Sequence, residues 1–125
     1  MPKMILIVDD EPDVLMLTAK NLELFDYEVL KAGSGEAALK LLQKHKPDLI
    51  LLDLLLPTMQ GDTLCKQLKS DDNFKHIPIV LFTASANNIS RKIAETKADD
   101  YIIKPFEIDD LVEKIKKYIG CSQST

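Results

Sequence analysis

Residues 49–57 read LILLDLLLP. Four apolar residues run into Asp53, and three more run out of it. The apolar run Leu49 to Leu52 shows no alternation, so it is apolar on both faces. That is the pattern of a strand buried inside a parallel sheet. An ionised carboxylate buried alone would be costly or would take up a proton. Asp53 therefore belongs at the wet end of that strand, or against a group that wants its charge.

Similar runs recur on either side. Met4 to Val8 is a first short apolar run, stopped by Asp9-Asp10-Glu11-Pro12. Pro12 suits the first turn of a helix, where its missing N–H is not needed. Val14, Leu15, Thr18, Leu22 and Phe25 follow at helical spacing and predict one apolar face. Glu28-Val29-Leu30 is a short strand candidate, broken by Gly33-Ser34-Gly35. Ala37, Ala38, Leu41 and Leu42 stripe a second helix, which Pro47 brings to an end. Beyond Asp53, Pro57 and Gly61 bracket a loop, and Leu64, Cys65 and Leu68 mark a third helix. Pro78 precedes a fourth strand, Ile79 to Phe82. Asn87, Asn88 or Ser90 is placed to cap a fourth helix with a thin apolar face of Ile89, Ile93 and Ala94. Tyr101 to Ile103 is a fifth strand. Ile108, Leu111, Val112, Ile115, Tyr118 and Ile119 form the cleanest helical stripe, closed by Gly120. Strands alternating with helices imply a parallel sheet covered on both faces.

Size and composition agree. The chain has 125 residues, 46% hydrophobic and 29% charged, enough for one domain with a core of its own. Its net charge of -4 lacks the basic footprint of a nucleic-acid binder. No apolar run approaches the ~20 residues of a membrane helix, and the N-terminal run is too short for a signal peptide. These features predict a cytoplasmic protein with no membrane partner. Cys65 and Cys121 lack metal-ligand spacing and read as free thiols. His45 and His76 read as solvated. A domain over residues 1–120 and a short flexible tail over 121–125 are expected.

The strand ends carry the chemistry. In open parallel sheets, ligands bind beyond the carboxyl ends of the strands. There the sequence places Asp9-Asp10, Asp53, Thr83-Ala84-Ser85 and Lys104-Pro105. Three carboxylates repel, by about 4 kcal/mol for two charges 4 Å apart at an effective dielectric of 20. A hard divalent cation offsets that, and an all-oxygen ligand set favours Mg²⁺ over zinc. Lys104 adds a fixed positive charge. Asp53 then becomes a candidate nucleophile for a phosphoryl group. Thr83 and Lys104 would bind the phosphoryl oxygens, and the small Ala84 would let its backbone N–H come close.

These residues resemble the receiver domain of two-component response regulators. The strings ILIVDDEPDV, ILLDLLLPTMQG, IVLFTAS and DDYIIKPF occur in family order, each at a strand end, and the resemblance runs from about Lys3 to Ile119. It implies a doubly wound, flavodoxin-like α/β fold with five parallel strands in the order 2-1-3-4-5 and five helices. It makes Asp53 the phosphoacceptor. Asp9, Asp10 and Asp53 would hold Mg²⁺, Asp10 more directly than Asp9, with the backbone carbonyl of Leu55 as a further ligand. Thr83 and Lys104 would bind the phosphoryl group, and Tyr101 would turn inward as Thr83 moves. The Lys104-Pro105 peptide would be cis. Leu55 and Ser85 would flank water's access to the phosphoryl group, so an apolar Leu55 would slow hydrolysis. Two departures stand out: Gln60 before Gly61, where a short polar residue is frequent, and Lys97, where glycine is frequent.

The implied function is a phosphorylation-activated signalling switch rather than an enzyme. A histidine kinase or phosphotransfer protein would supply the phosphoryl group. A downstream protein, or a second receiver, would read the surface of the fourth helix, fifth strand and fifth helix. The alternative is a receiver-fold interaction module that acts without phosphorylation. An aspartyl phosphatase is disfavoured, because Leu55 stands where such enzymes place their general acid. A flavin-binding flavodoxin is disfavoured too, because Asp-Asp-Glu after the first strand would repel a phosphate.

Overall fold

A computed structural model describes residues 2–54, 56, 60–84 and 87–120. Leu55, Ser85, Cys121 and the tail at 121–125 lie outside the described residues. Strands and helices alternate along the chain as β1 (Met4–Val8), α1 (Pro12–Leu24), β2 (Glu28–Ala32), α2 (Gly35–Leu42), β3 (Leu49–Asp53), α3 (Gly61–Lys69), β4 (Ile79–Thr83), α4 (Ile89–Thr96), β5 (Asp100–Ile103) and α5 (Ile108–Ile119). All five strands are parallel, in the order β2-β1-β3-β4-β5.

The sequence explains the layering. β3 is buried at all five positions, and β1 and β4 at four of their five. Alternate residues of these strands feed opposite cores. Leu6, Val8, Ile50, Leu52, Ile79 and Leu81 pack with Ala38, Leu42, Leu64, Cys65 and Leu68 of α2 and α3, and with Ile93 of α4. Ile5, Ile7, Leu49, Leu51, Val80 and Phe82 pack with Ala19, Leu22, Leu111, Val112 and Ile115 of α1 and α5. The edge strands β2 and β5 are partly exposed, which is why their sequence signals are shorter.

Local differences from the sequence reading have physical causes. On α1 the buried face is Thr18, Ala19 and Leu22, while Phe25 is the C-cap and is 38% exposed. Met16, Leu17 and Leu24 of α1 face solvent. α2 stops at Leu42, five residues before Pro47. Its N-cap is Ser34, whose Oγ accepts the Ala37 N–H at 3.1 Å. Asn88 occupies the N-cap of α4, but in the left-handed region (φ 61°) and with no side-chain capping bond. Lys97, where the resemblance led us to expect glycine, caps the other end of α4 in the left-handed region itself (φ 63°).

Candidate functional site

The register aligns the strand ends. Val8 lies beside Leu52, Asp53 beside Phe82, and Thr83 beside Ile103. Backbone bonds then carry the ladder past the strands: Asp9 N–H to Ala32 O, Leu54 N–H to Phe82 O, and Lys104 N–H to Thr83 O at 2.8 Å. Asp9, Asp53, Thr83 and Lys104 are thereby held on successive neighbours of one sheet edge.

The carboxylates meet there. Asp9, Asp10 and Asp53 each offer an oxygen, and these oxygens lie within 4.8 Å of one another. Asp9 is fully buried and Asp53 is 7% exposed, whereas Asp10 is exposed. Lys104 Nζ lies 2.7 Å from Asp9 Oδ2 and 3.3 Å from Asp53 Oδ2. The other Asp9 oxygen accepts the Glu11 N–H at 2.9 Å, which ties the cluster to the start of α1. Burial alone would lower the Lys104 pKa. The hydrogen bond to Asp9 and the charges of Asp53 and Asp9 outweigh it, and the ammonium is held above its ordinary value of 10.5.

Two groups below the site escaped the sequence reading. Lys104 Nζ sits 5.5 Å from the centroid of the Phe82 ring, and Phe82 stacks on Phe106 at 5.3 Å. In the sequence Phe82 reads as ordinary strand core. Its cation–π contact limits where the ammonium can go. In the sequence Gly61 reads only as a loop bracket. A Cβ there would overlap the Asp53 carbonyl oxygen and lie 2.7 Å from Leu54 Cα, so the start of α3 packs on the backbone at the end of β3. Its N–H also bonds Leu54 O at 3.0 Å.

A cavity of about 260 Å³ opens over this cluster, lined by Asp10, Glu11, Asp53, Leu54, Thr83, Ala84 and Lys104. The structure thus brings Asp9, Asp10, Asp53, Thr83, Ala84 and Lys104 together, while Leu55 and Ser85 fall outside the described residues. Tyr101 stands apart on β5, half-buried against the α2–α3–α4 side of the sheet, with Lys114 Nζ 5.5 Å from its ring centroid. The Lys104-Pro105 peptide is cis. No helix among the described residues is long and apolar enough to cross a membrane.

With fold and site in place, comparison with known proteins is decisive. The family model for the response regulator receiver domain matches residues 5–116. The chain belongs to that family, the signalling receivers of two-component systems. It is 37% identical over 121 residues to the polar-differentiation response regulator DivK of Brucella anthropi, covering 96% of this chain and 98% of that one. Among solved structures it is similar to a CheY-like receiver domain protein from Methanospirillum hungatei (TM-score 0.85, 34% identity, covering 94% of this chain and 93% of that one). It is also similar to TrrA of Thermotoga maritima, solved in complex with Mg²⁺-BeF (TM-score 0.83, 35% identity, 93% and 98% covered).

Proposed function

We propose that this chain is a phosphorylation-controlled switch, with Asp53 as its phosphoacceptor. The observation that carries the proposal is the placement of Lys104 between two buried carboxylates, beside a third, at the floor of an open cavity. A salt bridge built for stability alone would not need a third acid within 4.8 Å of the two that pair with the ammonium.

The acids fit a hard cation. Asp10, exposed at the cavity, and Asp53 would hold Mg²⁺, with Asp9 behind them and the Leu55 carbonyl as a further ligand. When bound, Mg²⁺ offsets the clustered negative charge and supplies positive charge to the phosphoryl oxygens. A carboxylate oxygen of Asp53 attacks phosphorus, the O–P bond forms, and the N–P bond to a donor histidine breaks. The electron pair of that bond returns to the imidazole. Lys104 already reaches Asp53 at 3.3 Å and would pair with the phosphoryl group. Thr83 Oγ1 and the Ala84 N–H would bind its other oxygens. As Thr83 moves toward the phosphoryl group, Tyr101 would turn inward.

The donor in this reading is a histidine kinase or phosphotransfer protein. The output is a change in the surface of α4, β5 and α5, read by a downstream protein or a second receiver. The chain itself binds no nucleic acid, works in the cytoplasm, and performs no chemistry beyond its own phosphoryl transfer and loss. Intact mass after incubation with acetyl phosphate and Mg²⁺ tests this. One added phosphoryl group in wild type, absent in Asp53→Asn, is expected. No gain at saturating Mg²⁺, with either acetyl phosphate or a phosphorylated histidine donor, would favour the interaction module that acts without phosphorylation.

A further inference from the structure

Asp62, in the first turn of α3, meets Lys92, in the first turn of α4, at 2.9 Å. A negative charge suits the start of α3, but an ammonium is disfavoured by the dipole at the start of α4. Lys92 therefore gains from Asp62 rather than from its own helix. The pair lies on the wall of a second cavity, about 420 Å³, whose lining also includes Leu54, Thr83, Ala84 and Ile89. So the leading end of α4 borders open space beside Thr83, where a helix of the core would be packed. Among the described residues, its other anchors are Ile89 and Thr96, which are buried, Ile93, which is partly buried against the core, and the contact of Cys65 Sγ with Thr96 O at 3.6 Å. The missing side-chain bond at Asn88 leaves that end weaker still.

We infer that the Asp62–Lys92 pair is a latch that holds α4 against α3 across this cavity and sets the resting balance of the switch. The inference rests on the reading of Asp53 as phosphoacceptor and goes beyond it, since neither residue belongs to the phosphoryl site. While the latch is closed, movement of Thr83 must displace a tethered helix. With it open, the cavity gives α4 room to follow.

The test uses the whole chain in four versions besides wild type: Asp62→Asn, Lys92→Gln, the two together, and the reversed pair Asp62→Lys with Lys92→Asp. Two quantities are read. One is amide hydrogen exchange of α4 without any phosphoryl mimic. The other is the midpoint of a beryllofluoride titration with Mg²⁺, followed by the NMR signals of Tyr101. A partly exposed ion pair supports up to about a five-fold change. Each single variant should exchange faster at α4 and respond at a three- to five-fold lower beryllofluoride midpoint, by that same estimate. The double variant should add little to either single one, and reversal should restore both readings toward wild type. Unchanged exchange in both single variants would overturn the latch. So would faster exchange with unmoved midpoints, since the pair would then be a structural tie only. A wild type that ignores beryllofluoride would overturn the phosphoacceptor reading and the latch together, whereas a responding wild type beside unmoved variants overturns the latch alone.

Discussion

Gly61 and Lys104 show how tightly single residues fix the site. Gly61 lies against the backbone of Asp53 and Leu54, and a methyl group there has nowhere to go. Gly61→Ala should lose about 1–3 kcal/mol, the usual cost of overpacking, and should displace the end of β3. Urea unfolding checks the first, and the amide NMR shift of Asp53 the second. A variant as stable as wild type with an unmoved Asp53 signal would contradict the close packing. Lys104 carries a different lesson. Its folded pKa is raised above the unfolded value of 10.5. The stabilisation from its ammonium is thus fully present below about pH 10.5 and is lost as pH rises through the folded value. Lys104→Met leaves the buried Asp9 carboxylate without its ion pair and should cost about 2 kcal/mol near neutrality. The gap to wild type should narrow as pH rises from about 10.5 upward, as wild type loses its own ammonium. A gap that stays constant across that range would mean that Lys104 acts by packing alone.

The elements differ in how they are held. α5 has the clearest apolar stripe, and Leu111, Val112 and Ile115 are buried as the spacing predicted. α4 is held by less, and it ends on Lys97 at a φ of 63°. A side chain in the left-handed region costs roughly 1 kcal/mol, which glycine avoids. Lys97→Gly should therefore raise the thermal midpoint, by an amount matching a gain of about 0.5–1 kcal/mol. A lowered midpoint would show that the Lys97 side chain contributes something the backbone geometry does not reveal. At the opposite edge of the sheet, Lys69 of α3 is 9% exposed at its side chain. It bonds Asp99 at 2.7 Å and the carbonyls of Ile77 and Lys75 at 2.9 and 3.2 Å. Asp99 in turn accepts the Ile79 N–H at 2.8 Å. One lysine thus joins the end of α3 to the starts of β4 and β5. Lys69→Met should cost about 2 kcal/mol, less than a fully buried pair because Asp99 is partly wet. Equilibrium unfolding in urea measures it, and a loss below half that figure would reduce the junction to a surface contact.

Across the molecule, what was legible in the sequence is what depends on local pattern. Runs such as Met4–Val8 and Ile79–Phe82 are apolar on both faces, which only a covered parallel sheet accommodates. Parallel strands end at one edge, so the sequence alone places Asp9, Asp53, Thr83 and Lys104 together. Contacts between residues far apart in the chain left no such trace. The Asp62–Lys92 and Lys69–Asp99 pairs span 30 residues each, and each partner alone reads as a surface charge. Gly61 fits a loop as well as a close approach, and Phe82 fits a core as well as a cation–π platform. If the gathered acids hold a metal as proposed, the protein as a whole should respond to it in a definite way. Without divalent ions, the oxygens of three carboxylates lie within 4.8 Å of one another and only two of the acids pair with Lys104, so Asp10→Asn should relieve repulsion and unfold at a denaturant concentration equal to or above that of wild type. With Mg²⁺ at a hundred times its dissociation constant, a folded state that binds it gains about 2.7 kcal/mol. Wild type should take most of that gain, and Asp10→Asn, lacking the exposed ligand, much less. The order of stability should therefore reverse between chelator and Mg²⁺, which unfolding curves of both proteins under both conditions would register. An acid cluster serving only as a helix-start charge would shift both proteins alike, and parallel shifts would remove Asp10 from the metal site.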